Sequence, residues 1–133
     1  MSDIVQKTIL LVEDDPAFVR TETKFLEREG YRIISVDRGE AAVDFVRSQD
    51  ENVDLILMDI DLGEGIDGTE AARQILKYND IPVLFLSSHT EKEIVEKTEK
   101  ITSYGYVVKN SGIVVLGASI KKAFKLFEAS RDI

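Results

Sequence analysis

Short apolar runs alternate along the chain with longer amphipathic segments. The apolar runs lie at residues 8–12, 31–36, 53–58, 83–86 and 104–108. The segments between them carry apolar positions at helical spacing, so the pattern predicts βαβ units and a parallel sheet. The third run is almost continuously apolar, as expected for a strand covered by helices on both faces. We therefore predict an α/β fold of five strands and five helices, with residues 1–133 forming a single domain.

Turn and capping residues place the ends of these elements. Asp15 is a suitable N-cap, and Pro16 occupies the first helical position, where proline is favoured. The first helix should run to about Glu29 and end at Gly30. The other helices are predicted at about 39–48, around 71–76, at about 90–101 and at about 112–129. Pro82 should begin the fourth strand, where its missing N–H does least harm.

Polar residues follow the apolar runs at the point where each predicted strand ends. Glu13 and Asp14 follow the first strand, Asp59 the third, Ser87 the fourth and Lys109 the fifth. The carboxyl ends of parallel strands lie along one edge of a sheet, and ligands bind there where the strand order reverses. We therefore expect these five side chains to meet, although almost the whole chain separates the first from the last.

This set of side chains is suited to phosphoryl transfer. Carboxylates at close range raise each other's pKa unless a cation compensates, and Mg²⁺ favours carboxylates together with phosphate oxygens. Lys109 and Ser87 supply a positive charge and a hydroxyl group for phosphate oxygens. A carboxylate can act as the nucleophile and form an acyl phosphate. Asp59 is the best candidate, because it follows the longest buried strand and stands beside the acid pair.

Composition narrows the class of protein. The 133 residues carry a formal net charge of −8, which disfavours direct binding to nucleic acid or to anionic membranes. There is no cysteine and one histidine, His89, so disulfides and thiolate or histidine-rich metal sites are not expected. No apolar run is long enough to span a membrane, and no signal peptide is recognisable, so we expect a cytoplasmic location.

Five motifs together resemble the receiver domain of two-component response regulators. They are ILLVEDDP, LILMDID, DGTEAA, IPVLFLSS and GYVVK, in this order, and the resemblance extends from about Thr8 to Ala129. It implies a flavodoxin-like fold: a doubly wound (βα)5 three-layer sandwich whose parallel five-stranded sheet has the order 2-1-3-4-5. It also implies a signalling domain rather than an enzyme acting on a separate substrate.

The resemblance assigns roles to residues at matching positions. Asp59 matches the phospho-acceptor, and Glu13 and Asp14 match the acidic pair that holds Mg²⁺ with it. Asp61 matches the position whose backbone carbonyl completes the metal site. Ser87 matches the hydroxyl residue that binds the phosphoryl group and moves on activation.

Three further positions follow from the same resemblance. Lys109 matches the lysine that contacts the phosphoryl group, and Tyr106 matches the aromatic switch residue that moves together with the hydroxyl residue. His89, with Asp61, matches the positions that tune dephosphorylation. Asn110 replaces the proline that usually follows the lysine, which makes the geometry of the Lys109–Asn110 bond an open question. The segment from Asp59 to Gly68 is one residue longer than usual.

The implied partner is a sensor histidine kinase or a phosphotransfer protein that donates the phosphoryl group. The segment at 90–129 matches the surface that receiver domains use for partners, so a second copy or an output domain could bind there. Two alternatives stay open. Asp59 to Gly63 also resembles the nucleophile motif of haloacid-dehalogenase-like aspartyl phosphatases, although Gly63 replaces the expected Thr or Val. A phosphorylation-independent interaction module on the same fold is the other alternative.

Overall fold

Each apolar run forms a strand of one parallel sheet in the computed structural model, which describes residues 5–48, 50–88, 91–102 and 104–131. The strands are β1 (Thr8–Val12), β2 (Arg32–Val36), β3 (Leu55–Asp59), β4 (Val83–Ser87) and β5 (Tyr106–Val108). The helices are α1 (Pro16–Arg28), α2 (Gly39–Ser48), α3 (Gly68–Leu76), α4 (Lys92–Ile101) and α5 (Ile113–Arg131). The sheet order is β2-β1-β3-β4-β5, so the predicted fold is confirmed.

Helices cover both faces of the sheet, because residues in successive positions of a strand point to opposite sides. On one face, Leu10, Ile56 and Phe85 belong to an apolar cluster that includes residues of α2 and α3. On the other face, Leu11 and Leu57 belong to a cluster that includes residues of α1 and α5. The three central strands are buried throughout their length, as predicted for strands covered on both sides.

The start of α1 is the one predicted from the sequence. Asp15 is its N-cap and accepts a hydrogen bond of 3.0 Å from the Ala17 N–H, and Pro16 occupies the first turn. The helix ends within one residue of the predicted position, and Gly30 follows with φ of +98°. Within the described ranges, no helix combines the length and apolar character needed to cross a membrane.

Two strands begin two residues later than predicted, for local reasons. β3 begins at Leu55 rather than at residue 53, because Asp54 caps the strand pair: its side chain accepts the Thr8 N–H at 2.7 Å, and its own N–H bonds the Thr8 carbonyl at 2.8 Å. β5 begins at Tyr106 rather than at residue 104, because Gly105 turns the chain with φ of +141°.

Candidate functional site

The sheet brings the predicted polar residues to its carboxyl edge. Glu13 and Asp14 directly follow β1, and Asp59 is the last residue of β3. Ser87 is the last residue of β4, and Lys109 directly follows β5. β1, β3 and β4 are adjacent in the sheet, and β5 lies next to β4. Parallel pairing therefore places residues that are distant in sequence next to one another.

Three carboxylates at this edge are close enough to share a cation. Glu13, Asp14 and Asp59 each offer an oxygen, and these oxygens all lie within 4.8 Å of one another. Glu13 and Asp59 are each only 2% exposed, whereas Asp14 is open to solvent. Hard oxygen donors with one solvent-facing side fit Mg²⁺, which keeps several waters and binds one or two carboxylates directly.

Lys109 neutralises part of this negative charge. Its ammonium group lies 3.1 Å from Asp59 Oδ2 and forms a second ion pair with Glu13 Oε1. It also lies over the ring of Phe18, 4.7 Å from the ring centroid. One cation is thus shared between two buried carboxylates and the face of an aromatic ring, a partly desolvated position in which each attraction is strengthened.

Backbone N–H groups orient the other carboxylate oxygens. Asp59 Oδ1 accepts the Asp61 N–H at 3.2 Å, and Glu13 Oε2 accepts the Asp15 N–H at 3.0 Å. The Asp59 carboxylate is therefore bonded on both oxygens, to an amide on one side and to Lys109 on the other. Such contacts fix the direction in which the Asp59 carboxylate points.

Burial changes the protonation equilibria of the two enclosed acids. Desolvation raises the pKa of Glu13 to about 7, against the opposing effect of Lys109. Desolvation likewise raises the pKa of Asp59, although the charge of Lys109 counteracts part of that rise. For Lys109, burial works to lower the pKa, but its bonds with Glu13 and Asp59 outweigh burial and raise the pKa. The site thus retains a cation next to acids whose negative charge is incompletely compensated.

The other predicted site residues that the structure describes lie at the end of β4, in the loop after β3 and in β5. Ser87 is completely buried at the end of β4. Asp61 is exposed in the loop after β3, where its N–H contacts the acceptor candidate. Tyr106 is half-buried in β5 and lines a cavity of about 590 Å³ with Thr98 and other residues of α4. His89 lies outside the described residues.

The chain after β5 accommodates Asn110 without a special peptide bond. The Lys109–Asn110 bond is trans, and Lys109–Ser111 form a 3-10 turn. The Ser111 hydroxyl closes this turn by donating to the Val108 carbonyl at 2.6 Å. The lysine therefore reaches the acids from a regular turn.

Two residues near the site were not identified from the sequence. Phe18 lies in α1, and nothing in the sequence placed it against Lys109. Glu40 lies in the first turn of α2. Its side chain accepts a hydrogen bond of 3.0 Å from the N–H of Ile66, which lies in the loop that follows Asp59. The available signal was positional: the first turns of helices that follow parallel strands lie at the carboxyl edge of the sheet.

Comparison with known proteins places the chain among signalling proteins. The family described as "Response regulator receiver domain" matches residues 9–121. The chain is similar to the transcriptional regulatory protein YvrH of Bacillus subtilis (strain 168), with 31% identity over 94% of this chain and 52% of YvrH. The chain spans about half, or less, of the length of the curated relatives it matches.

Solved structures give the same result. The N-terminal domain of a response regulator/sensory box/GGDEF 3-domain protein from Carboxydothermus hydrogenoformans is 44% identical, with a TM-score of 0.84, covering 93% of this chain and 98% of that one. The response regulator protein TrrA from Thermotoga maritima, in complex with Mg(2+)-BeF, is 30% identical, with a TM-score of 0.78. That match covers 89% of this chain and 99% of TrrA.

Proposed function

Because the chain belongs to the response regulator receiver domain family, we propose that it accepts a phosphoryl group on Asp59 in a Mg²⁺-dependent reaction. The donor is a sensor histidine kinase or a phosphotransfer protein of a two-component system. The observation that carries this proposal is the buried Asp59 carboxylate, which is paired with Lys109 and lies within 4.8 Å of two further acids. A buried acid cluster with a single shared lysine is suited to bind a divalent cation and a phosphoryl group.

The proposed metal site consists of Glu13, Asp14, Asp59 and the backbone carbonyl of Asp61. When bound there, Mg²⁺ would neutralise charge on the phosphoryl oxygens and on the acids around them. The three carboxylates offer the oxygen donors that this ion prefers. The complex of the similar protein TrrA with Mg(2+)-BeF supports this assignment.

In the proposed reaction an oxygen of Asp59 attacks the phosphorus atom of a phosphohistidine. A phosphorus–oxygen bond forms as the phosphorus–nitrogen bond breaks, and the imidazole leaves with the electron pair. Lys109 already contacts Asp59 Oδ2 and is placed to follow the negative charge onto the phosphoryl oxygens. Ser87 supplies the hydroxyl donor from the neighbouring strand, since β4 pairs directly with β3.

We further propose that phosphorylation changes the conformation of β4 and β5, the last two strands of the sheet. Ser87 would move toward the phosphoryl group and Tyr106 would change its position against α4, where it lines a cavity of about 590 Å³. Asp61 and His89 would set the rate of dephosphorylation. A second copy or an output domain would bind the face formed by residues 90–129, where Val114 is 78% exposed.

The proposed setting is the cytoplasm, where histidine kinases deliver their phosphoryl groups. We propose no direct contact with nucleic acid or with a membrane, because the formal net charge of −8 disfavours both. In this scheme the chain catalyses only its own phosphorylation and dephosphorylation, and the output is exerted by a partner.

The test is to incubate the protein with acetyl phosphate, with and without Mg²⁺, and to locate the label by mass spectrometry. We expect one phosphoryl group per chain on the peptide containing Asp59, and only when Mg²⁺ is present. Asp59→Asn should abolish labelling without unfolding the protein. Asp44→Asn, which removes an exposed acid from α2, is the matched control and should label normally.

Each alternative has its own outcome in the same experiment. Steady hydrolysis of excess phosphomonoester, instead of one stoichiometric labelling, would favour an aspartyl phosphatase. No label under any condition would favour an interaction module that works without phosphorylation. Labelling of Asp59→Asn at the same peptide would overturn the assignment of the acceptor.

A further inference from the structure

The side chain of Glu40 in α2 forms a hydrogen bond with the loop between β3 and α3. Glu40 Oε2 accepts the Ile66 N–H at 3.0 Å. The preceding residue, Gly65, has φ of +88°, and a Cβ atom on it would lie only 2.5 Å from Glu40 Oε2 and 2.7 Å from Oε1. The loop thus brings bare backbone against the carboxylate, which a residue with a side chain could not do.

An apolar contact reinforces this attachment. Gly39, directly before Glu40, lies so close to the loop that a Cβ atom on it would be 2.8 Å from Cγ1 of Ile66. The same Cβ atom would be 3.1 Å from the side chain of Ala71 in α3. Ile66 is therefore held on its amide by Glu40 and on its side chain by the close approach of α2.

The fastened loop is part of the proposed metal site. It contains Asp61, whose N–H donates to Asp59 Oδ1 at 3.2 Å. It also contains Gly63, where a Cβ atom would lie 3.1 Å from Oδ2 of Asp14. Asp14 and Glu40 line the same cavity, of about 450 Å³, at this end of the sheet. A displacement of the loop would therefore move Asp61 and change the surroundings of the Asp14 carboxylate.

We propose that Glu40 is a positioning residue for the divalent cation. It does not ligate the ion; by accepting the Ile66 N–H it fixes the loop that carries Asp61 and lies against Asp14. A loop held before the ion arrives loses less conformational freedom on binding, and groups behind metal ligands commonly set affinity in this way. This inference rests on the proposed function, because it presupposes that the acid cluster binds Mg²⁺.

The test compares four proteins by electron paramagnetic resonance of free Mn²⁺, which reports binding of the metal alone. Glu40→Ala should bind Mn²⁺ about tenfold more weakly than the wild type, because the loop loses its acceptor. Glu40→Gln should stay within about twofold, because its amide oxygen can still accept the Ile66 N–H. Glu64→Ala, which removes the same charge from the loop itself, controls for electrostatics and should also stay within about twofold.

Two further readouts separate positioning from general damage. In hydrogen exchange, the Ile66 amide should exchange about tenfold faster in Glu40→Ala than in the wild type, with the amides of β3 unchanged. In labelling with acetyl phosphate, saturating Mg²⁺ should restore the rate of Glu40→Ala to nearly that of the wild type. Loss of a positioning residue lowers the affinity for the metal, and excess metal compensates for that loss.

The outcomes distinguish this inference from the proposed function. A wild type that binds no Mn²⁺ would overturn both. A wild type that binds Mn²⁺, with Glu40→Ala within twofold of it, would overturn the positioning role alone. Equal losses in Glu40→Ala and Glu40→Gln would also overturn it, because they would show that charge rather than the hydrogen bond sets the affinity.

Discussion

The ammonium group of Lys109 lies over the ring of Phe18, 4.7 Å from its centroid, while it pairs with two buried carboxylates. The aromatic face attracts the cation in addition to the two acids and thereby helps to fix where the charge lies. A contact of this kind contributes about 1 kcal/mol, and more when water is excluded.

We predict that Phe18→Leu slows labelling by acetyl phosphate about fivefold, because Leu fills much of the space but has no ring to hold the ammonium. Phe18→Tyr keeps the ring and should label at a rate close to that of the wild type. The rates are measured at saturating Mg²⁺ by following the phosphorylated protein by intact mass. Equal rates for the Leu and Tyr variants would show that the ring does not position Lys109.

Removal of the Lys109 charge should make the protein depend on divalent cations for stability. Lys109→Met keeps the length of the side chain but leaves Glu13 and Asp59 without their cation, which should cost about 2 kcal/mol at pH 7.5. Mg²⁺ would supply the missing charge, so it should stabilise this variant more than the wild type. The free energy of unfolding is measured in urea with and without MgCl₂.

Lys121→Met is the control for that experiment, because Lys121 is an exposed lysine whose distance to Glu29 is 4.0 Å. Exposed pairs of this kind contribute little, so its stability should change by less than about 0.5 kcal/mol. A Mg²⁺ effect of equal size in Lys109→Met and in the wild type would contradict the proposed compensation.

Gly68→Ala should disrupt both the fold and the acceptor. A Cβ atom on Gly68 would overlap the Asp59 carbonyl oxygen and lie 2.9 Å from the Ile60 Cα, and backbone atoms cannot rotate away. We expect a loss of about 3 kcal/mol in the free energy of unfolding. At Gly30 nothing lies within 4 Å, and only its φ of +98° opposes a side chain, so Gly30→Ala should cost about 1 kcal/mol. Similar losses for both variants would exclude the steric explanation.

Glu22 provides a prediction of pH dependence. It is 5% exposed in α1, its Oε2 has no hydrogen-bond partner among the described residues, and burial raises its pKa. Because the folded state holds this proton more tightly than the unfolded state, Glu22 lowers stability as pH rises from the ordinary carboxyl pKa through the raised pKa. Glu22→Gln should therefore be more stable than the wild type by about 1 kcal/mol at pH 7.5.

That gain should shrink as the pH falls toward the ordinary carboxyl pKa of 4.5, below which both states are protonated. Thermal melts between pH 4 and pH 8 measure the difference. Glu27→Gln, which removes a carboxylate from an exposed position of the same helix, is the control and should change the stability at pH 7.5 by less than about 0.5 kcal/mol. A gain for Glu22→Gln that is constant across this range would contradict the assigned cause.

The main features of the fold and the cluster at the sheet edge could be predicted from the sequence, because both follow from periodicity. The apolar runs marked the strands, and parallel strands must end at one edge, so Glu13, Asp59 and Lys109 could be placed together without coordinates. The burial of Glu22 could not be predicted, because the helical pattern of α1 does not show how much water reaches an individual side chain.

The contacts of Phe18 and Glu40 could not be predicted for a different reason. Each depends on the path of another segment: the turn after β5 for Phe18, and the loop after β3 for Glu40. Those paths are set by the 3-10 turn at Lys109–Ser111 and by the positive φ of Gly65. Secondary-structure patterns predict where loops begin and end, but not the course that they take in between.

The short β5 strand has a consequence for how the site comes apart. β5 has three residues, pairs with β4 alone among the described strands, and ends directly before Lys109. Local opening of a protein begins where buried contacts and hydrogen bonds are fewest. Detachment of β5 would withdraw the lysine, while Glu13 after β1 and Asp59 in β3 remained in place. Lys109 would thus be a counter-ion that leaves together with β5. Without it, Glu13 and Asp59 would attract cations more strongly.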